Sequence, residues 1–495
     1  YRMFELRRRV QYTLLAGLAG AFLIPQVSFA APTGGYAVQG EASIDQSVAN
    51  MTDITSSNMN NVITWTDYSV NSGETVRYDS GANTNNYLNI VQGGNTSKIY
   101  GTITGGKDVY LVNPNGVIFG AGATVNVGNL HVSTQDTATL NQAAFMGGGT
   151  PINTTAPGRA DVVNMGSITA TKVEVVGKNI RFLNDANVTV TSSPVVLRTD
   201  TTNDGTAHIG YRGTAPATTK YQVNGAAATA GDNYYQLVGN KTELDSINNN
   251  LSGNYMLEHD IDLSGNEHTP IGGNTHADFT GKFDGNFFQV KHFKVSGAAS
   301  DQNLGHAGLF GKVSGARIEN VGVDRAQIMG KGKGVAPLYG YPDYYAGGIV
   351  GEALGGTTLK NVYADNGVTI DGQAGGIGGI VGHLQDSKLN TAYSKVHIGD
   401  GGGIVGWAGH PTNTTETTTI ENAYSDATLA SGSTGTYFAY ALYQESNVKI
   451  KNSYATGVEF SHSALGTSYA DHVYRYDKTT GKVSSDLAGT TTFNK

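Results

Sequence analysis

Apolar residues along this chain come in short bursts. Val109-Tyr110-Leu111-Val112, Val117-Ile118-Phe119 and Val173-Glu174-Val175-Val176 are each of strand length. Clusters of Gly, Asn, Asp and Ser separate such bursts about every 8–12 residues, the spacing of short strands joined by turns. No helical period of 3.6 persists beyond the N-terminal stretch. Between residues 31 and about 215 one pattern recurs: a polar turn, then an apolar residue flanked by small or polar ones. Gly101-Thr102-Ile103-Thr104, Ala123-Thr124-Val125-Asn126-Val127 and Gly166-Ser167-Ile168-Thr169-Ala170 are examples. Stacked rungs of a parallel β-helix need this pattern, with apolar residues turned inward and Asn or Gly accepting left-handed backbone at the corners. The predicted fold class is therefore all-β, a right-handed parallel β-helix.

A second repeat runs from residue 232 to about 460. Its mark is a tetrapeptide framed by glycines: Gly308-Leu309-Phe310-Gly311, Gly348-Ile349-Val350-Gly351, Gly379-Ile380-Val381-Gly382 and Gly403-Ile404-Val405-Gly406. The copies start 40, 31 and 24 residues apart. A strand of the type IENVGVD, LKNVYAD, LNTAYSK or IENAYSD follows each copy. A degenerate fifth copy is placed at Ala439 to Leu442, followed by Ile450-Lys451-Asn452-Ser453-Tyr454. Variable spacing marks insertions into loops on one flank of a solenoid. Before the tetrads, Thr242 to Asn249 reads as a short helix capped by Thr242.

Composition narrows the function. Of 495 residues 68 are glycine and only 11 proline, with no collagen period. This argues against a helical protein, since each Gly costs a helix about 1 kcal/mol. Net charge is −8, so no basic face is implied and nucleic acid is not expected as a partner. The chain has no cysteine, which excludes disulfide scaffolds, thiol catalysis and Cys-based metal sites. It also suits a chain that must stay unfolded while it crosses an oxidising compartment. Residues 1–30 read as a signal peptide: Arg7, Arg8 and Arg9 precede an apolar stretch from Leu14 to Ile24, and Ser28 and Ala30 suit cleavage after Ala30. That stretch is shorter than the ~20 residues a bilayer needs.

Residues 87–134, YLNIVQGGNTSKIYGTITGGKDVYLVNPNGVIFGAGATVNVGNLHVST, resemble the core of the filamentous-haemagglutinin N-terminal domain, the secretion domain of two-partner secretion exoproteins. The order of motifs matches, and the tetrad Asn113-Pro114-Asn115-Gly116 is the family's hallmark. Upstream, Asn61-Val62-Ile63-Thr64-Trp65 and Tyr68-Ser69-Val70 resemble a further strand of that domain. The second family tetrad, NPNL, is absent, as in the subgroup resembling high-molecular-weight adhesins. Physically, Pro114 fixes φ near −65°, Asn115-Gly116 accepts positive φ, and the Asn113 side chain can bond the turn backbone. The residues alone thus describe a structural turn closing a rung. The resemblance implies that this region also serves recognition by an outer-membrane transporter.

The glycine-framed tetrads resemble GLUG motifs of bacterial surface proteins. Inserts at 331–345 and 410–419 are then candidate exposed loops, and Tyr339, Tyr341, Tyr344 and Tyr345 cluster in the first. Exposed tyrosines can stack on a sugar or anchor a protein partner. Tyrosine rings that merely cover a strand stack fit the sequence equally well.

Motifs for catalysis fail. The run 401–406 fits GxGxxG only because a repeat tetrad carries extra glycines, and no HExxH or GxSxG occurs. Asp260 and Asp262 lie two apart on a predicted strand and Asp284 sits in an FDGN turn, a trio to weigh as glycan-cleaving carboxylates against structural turns. No enzyme activity, cofactor or metal is expected. The domain plan is a signal peptide at 1–30, a secretion domain at 31–215, a connecting segment at 216–300, a repeat solenoid at 301–460 and a C-terminal segment at 461–495. The expected function is a secreted or surface adhesin of a Gram-negative bacterium. It would be exported by the general secretory route and an outer-membrane pore as a monomer, then bind a host or bacterial surface receptor, with a glycan as one option. The alternatives are the delivery stalk of a contact-dependent toxin and a polysaccharide-degrading β-helix enzyme.

Overall fold

The parallel β-helix expected from the sequence is the fold observed. The computed structural model describes residues 32–296, 305–330, 344–372, 376–409, 417–431, 435–442, 447–456, 470–477 and 482–485. The signal-peptide reading at 1–30 and Tyr339 and Tyr341 lie outside the described residues. The chain divides into two units between Leu237 and Val238. The first thus extends past the expected boundary at 215. The physical reason is register: Tyr221–Val223 pairs with Val195–Arg198, with Val195 opposite Tyr221, and so adds a further rung to the same stack.

The first unit has three parallel faces. One carries Asn60–Trp65, Asn86–Val91, Asp108–Val112, Asn129–Ser133, Lys172–Val176 and Val195–Arg198 in succession. A second carries Ser97–Ile99, Val117–Phe119, Val162–Asn164, Ile180–Phe182 and Ala207–Tyr211. The third carries Thr75–Tyr78, Thr102–Thr104, Thr124–Asn126, Ser167–Ala170 and Val188–Val190. The repeated pattern seen in the sequence is this third face: Ile103, Val125, Ile168 and Val188 stack in register and are all buried. Tyr36–Gln39 caps the start of the first face as an antiparallel strand against Asn60–Trp65.

Asp108 pairs with Asn129, one coil of 21 residues later, whereas Asn129 pairs with Lys172, 43 residues later. The longer step contains an insertion with a short helix, Gln142–Met146. Its Phe145, with Ile152, covers the outside of the first face at Val62, Leu88, Ile90, Tyr110, Val112 and Val176. Val109 and Leu111 face the internal core while Tyr110 and Val112 face this outer cluster. Burial on both sides explains the unbroken apolar run at 109–112.

In the second unit the coil has four sides. The longest strands, Arg317–Asp324, Thr358–Ala364, Lys388–Ser394, Thr418–Ser425 and Val448–Thr456, form one parallel face. Each turns through a left-handed residue at the same register: Asn320, Asn361, Thr391, Asn422 and Asn452, all with φ between 47° and 61°. This is the Asn or Thr of the IENVGVD-type segments. Asn361 Nδ2 donates to Asn320 Oδ1 at 2.9 Å, and Asn320 Nδ2 to Asp284 Oδ1 at 2.9 Å.

The glycine-framed tetrads stack on another side, with Phe310, Val350, Val381 and Val405 in register and buried. Ala439 aligns with Val405, the third tetrad position. The fifth copy therefore occupies 437–440, two residues earlier than the expected Ala439 to Leu442. The framing glycines are demanded by close approach. A Cβ on Gly382 would lie 2.5 Å from the Gly351 carbonyl oxygen, and one on Gly406 2.5 Å from that of Gly382.

The predicted helix is present as Lys241–Ser246, followed by a tight turn at Ile247–Asn249. Its cap is Asn240 rather than Thr242: Asn240 Oδ1 accepts from Glu243 N at 3.0 Å, and Glu243 Oε2 accepts from Gly239 N at 2.7 Å. Glu243 sits three residues after the cap Asn240, the spacing of a capping box, and its carboxylate takes the N–H one residue before the cap; the frame is two residues earlier than expected.

Candidate functional site

The NPNG tetrad turns the chain from the first face to the second. Gly116 N donates to Asn113 O at 3.0 Å and closes the turn. Gly116 has φ +106°, which an L side chain resists, and an added Cβ would lie 3.1 Å from Asp161 O. Asn113 is fully buried, Pro114 half-buried and Asn115 exposed.

Asn113 uses its whole carboxamide. Oδ1 accepts from Asn115 N at 2.9 Å and from Asn115 Nδ2 at 3.2 Å. Nδ2 donates to Asn95 O and to Ser97 Oγ, each at 2.9 Å. Asn115 Nδ2 also donates to Gly93 O at 2.8 Å, and Thr96 Oγ1 donates to Asn115 O at 2.8 Å. The expected side-chain bond to the turn backbone is thus present. The tetrad is in addition fastened to the preceding coil through Gly93, Asn95, Thr96 and Ser97, which sequence reading did not single out. The GGNTS run between two apolar bursts marked a turn, but its stacking against residues 113–116 depends on coil register.

Beside the corner lies a second buried amide. Trp65 Nε1 donates to Asn89 Oδ1 at 3.0 Å, and Asn89 Nδ2 donates to Tyr110 O at 3.0 Å. Three successive strands of the first face are thereby joined by side-chain amide chemistry. No ionisable group belongs to the tetrad, so this corner presents a shaped amide surface.

The other candidate residues lie elsewhere and apart. Tyr344 is partly exposed. Tyr345 is not in an exposed loop: it is 6% exposed, in the strand Tyr345–Gly347, with its ring stacked 4.6 Å from His383. Asp260 accepts from Lys291 Nζ and from Gln289 N, and lies just outside the two-residue strand Ile261–Asp262. Asp262 accepts from Ser264 N and pairs with His292; the Ser264 N–H, ahead of His292, holds its carboxyl below the usual range. Asp284 is fully buried and accepts from Asn286 N and Asn320 Nδ2. Each carboxylate thus has its own structural partners.

Residues 28–284, just over half of the chain, match the family described as the TPS secretion domain. The chain belongs to this family. It is therefore a two-partner secretion exoprotein, and the NPNG corner lies inside its TPS secretion domain. Among curated proteins it is 32% identical over 111 residues to a heme/hemopexin-binding protein of Haemophilus influenzae, covering 22% of this chain and 12% of that protein. It is 25% identical over 226 residues to an immunoglobulin A1 protease of Streptococcus pneumoniae, covering 43% of this chain and 10% of that protein. The matches thus span about a tenth of the length of these relatives. The solved HMW1 secretion domain from Haemophilus influenzae aligns over 89% of this chain and 99% of its own, at 13% identity and a TM-score of 0.27.

Proposed function

We propose that the TPS secretion domain is the export address of an adhesin, read by a partner pore in the outer membrane of a Gram-negative bacterium. The observation that supports this reading most is the division of labour within the tetrad. Asn113 is consumed by internal bonds, while Asn115 holds the corner shut and still faces solvent. Such a corner can shape a recognised surface without itself being strained by contact. Stacking of coils would supply the free energy that draws the chain outward, since each new rung buries apolar residues against the last.

The second unit is proposed to be the adhesive part, built from GLUG-type repeats and displaying loops to a surface receptor. The test uses a strain carrying the partner pore. Asn113→Ala and Gly116→Val are expected to leave the chain in the periplasm, and Asn115→Ala to reduce export. Normal export of all three variants would overturn the proposal.

A further inference from the structure

Among the described residues, one face of the second unit leaves its outward side chains exposed. It comprises Lys294–Val295, Gln327–Gly330, Thr369–Gly372, His397–Ile398 and Thr428–Leu429, paired in parallel. Val295, Ile328, Ile370 and Ile398 point inward and are buried. The alternate residues point outward and line a groove of about 370 Å³. That volume lies within the range of ligand sites, roughly 300–1,000 Å³.

The groove has a regular chemistry. Lys294, Gln327, Thr369 and His397 fall in one row, each opposite the next across neighbouring coils. Met329 and Asp371 pair in a second row. Met329 is 44% exposed and is the exposed large apolar side chain of this unit among the described residues. Asp371 lies over Gly399, where a Cβ would come within 2.6 Å of Asp371 Oδ1, so glycine makes the room the carboxylate uses. Asp371 Oδ1 accepts from Gly372 N at 2.7 Å. Among the described residues, Gln327 and Thr369 spend no side-chain hydrogen bond on the protein itself.

We propose that this groove binds a linear, uncharged oligosaccharide lying across the coils. The proposal rests on the adhesin reading and names the ligand class and the site. Carboxylate, amide, imidazole and hydroxyl groups together suit the paired donors and acceptors of adjacent sugar hydroxyls. Met329 offers an apolar surface to the C–H face of a ring. Coils recur about every 4.8 Å, close to the length of one sugar ring in an extended chain, so each coil meets one ring. Lys294 and Asp371 both line the groove, one charge of each sign, so it has no formal net charge to favour a polyanion.

The test is calorimetric titration of the secreted full chain with cello-, chito- and galacto-oligosaccharides of roughly four to six sugars, the length spanned by the face. Binding of at least one series is expected. Asp371→Asn combined with Gln327→Ala should weaken it about tenfold or more, as loss of two hydrogen-bonding partners does. Export and the melting temperature should be unchanged. Gly399→Val, which pushes the carboxylate aside, should weaken binding similarly. Failure of all three series, undiminished binding by the double variant, or displacement of the sugar by heparin or by a casein peptide digest would each overturn the proposal. Cell adhesion measured in parallel separates the two readings: adhesion retained by the double variant removes the groove and leaves the adhesin, whereas a wild-type chain that adheres to no cells removes the adhesin reading itself.

Discussion

The buried carboxamide of Asn113 donates to the hydroxyl of Ser97 at 2.9 Å and ties the NPNG corner to the coil before it. Removing that carboxamide leaves the buried Ser97 hydroxyl without its donor. Such an unmet buried group costs about 1–3 kcal/mol. Asn113→Ala should therefore lower the stability of the first unit by about 2 kcal/mol. Each unit carries one of the chain's two tryptophans, Trp65 and Trp407. Urea unfolding of a Trp407→Phe background, followed through Trp65, reads the first unit alone. An unchanged midpoint would show that Asn113 has no structural share in the corner.

Thr391 stands where the neighbouring coils have Asn320, Asn361, Asn422 and Asn452, at φ +61°. A β-branched residue is strained in left-handed backbone, whereas Asn is tolerated there. Asn390, one residue earlier, partly repairs the ladder: its Oδ1 accepts from Thr391 Oγ1 and from Asn422 Nδ2, both at 3.0 Å. Thr391→Asn should stabilise the second unit by about 1 kcal/mol, and Thr391→Gly by less, because glycine loses more chain entropy on folding. The urea midpoint read through Trp407 checks both. A drop for Thr391→Asn would mean that the Asn390 bonds outweigh the backbone strain.

The tetrad glycines make a sharper demand. Gly382 has room for no side chain, since a Cβ would sit 2.5 Å from Gly351 O and 2.6 Å from Ala346 N. Both atoms are backbone of the preceding coil, which cannot give way without separating the coils. Gly382→Ala should cost about 3 kcal/mol, the upper end for overpacking. Gly356, at φ +82° with nothing within 4 Å of an added Cβ, is the contrast. Gly356→Ala should cost only about 1 kcal/mol, the backbone term alone. Equal losses would remove close coil approach as the reason for the framing glycines.

Much of this architecture was readable locally. The NPNG turn follows from Pro114 and Gly116, and the stacked Ile103, Val125 and Ile168 follow from a repeated apolar position flanked by polar ones. What escaped was register. The fifth tetrad copy shifted by two because hydrogen bonding to Val405, and not local resemblance, decides which residue is its third. Tyr345 read as a loop residue because nothing nearby in sequence announces His383, the ring it packs against one coil later. The helix cap moved from Thr242 to Asn240 because both residues can cap, and the reach of Glu243 back to Gly239 selects between frames. The partners of Asn113 on the preceding coil escaped for the same reason.

The second unit also holds a buried carboxylate whose charge shapes its response to acid. Glu352 Oε2 accepts from His306 Nε2 and Lys312 Nζ, each at 3.0 Å, and Oε1 meets His383 Nδ1 at 3.2 Å. Burial alone would raise its pKa. The hydrogen bonds from His306 and His383, with the charge of Lys312, outweigh burial and hold the carboxyl well below the ordinary range. A depressed folded-state pKa contributes stability that is complete above the unfolded value, about 4.3, and is lost as pH falls below it. Glu352→Gln should therefore destabilise the second unit at neutral pH by about 3 kcal/mol, the cost of breaking a buried pair. The gap between wild type and variant should narrow as pH drops below about 4, because Glu352 of the unfolded wild type then takes up a proton while the folded carboxylate stays ionised, which favours unfolding of the wild type alone. Urea unfolding through Trp407 at a series of pH values measures it. A gap that stays constant from neutral pH to about pH 3 would show that the ionised carboxylate is not the source of the stability.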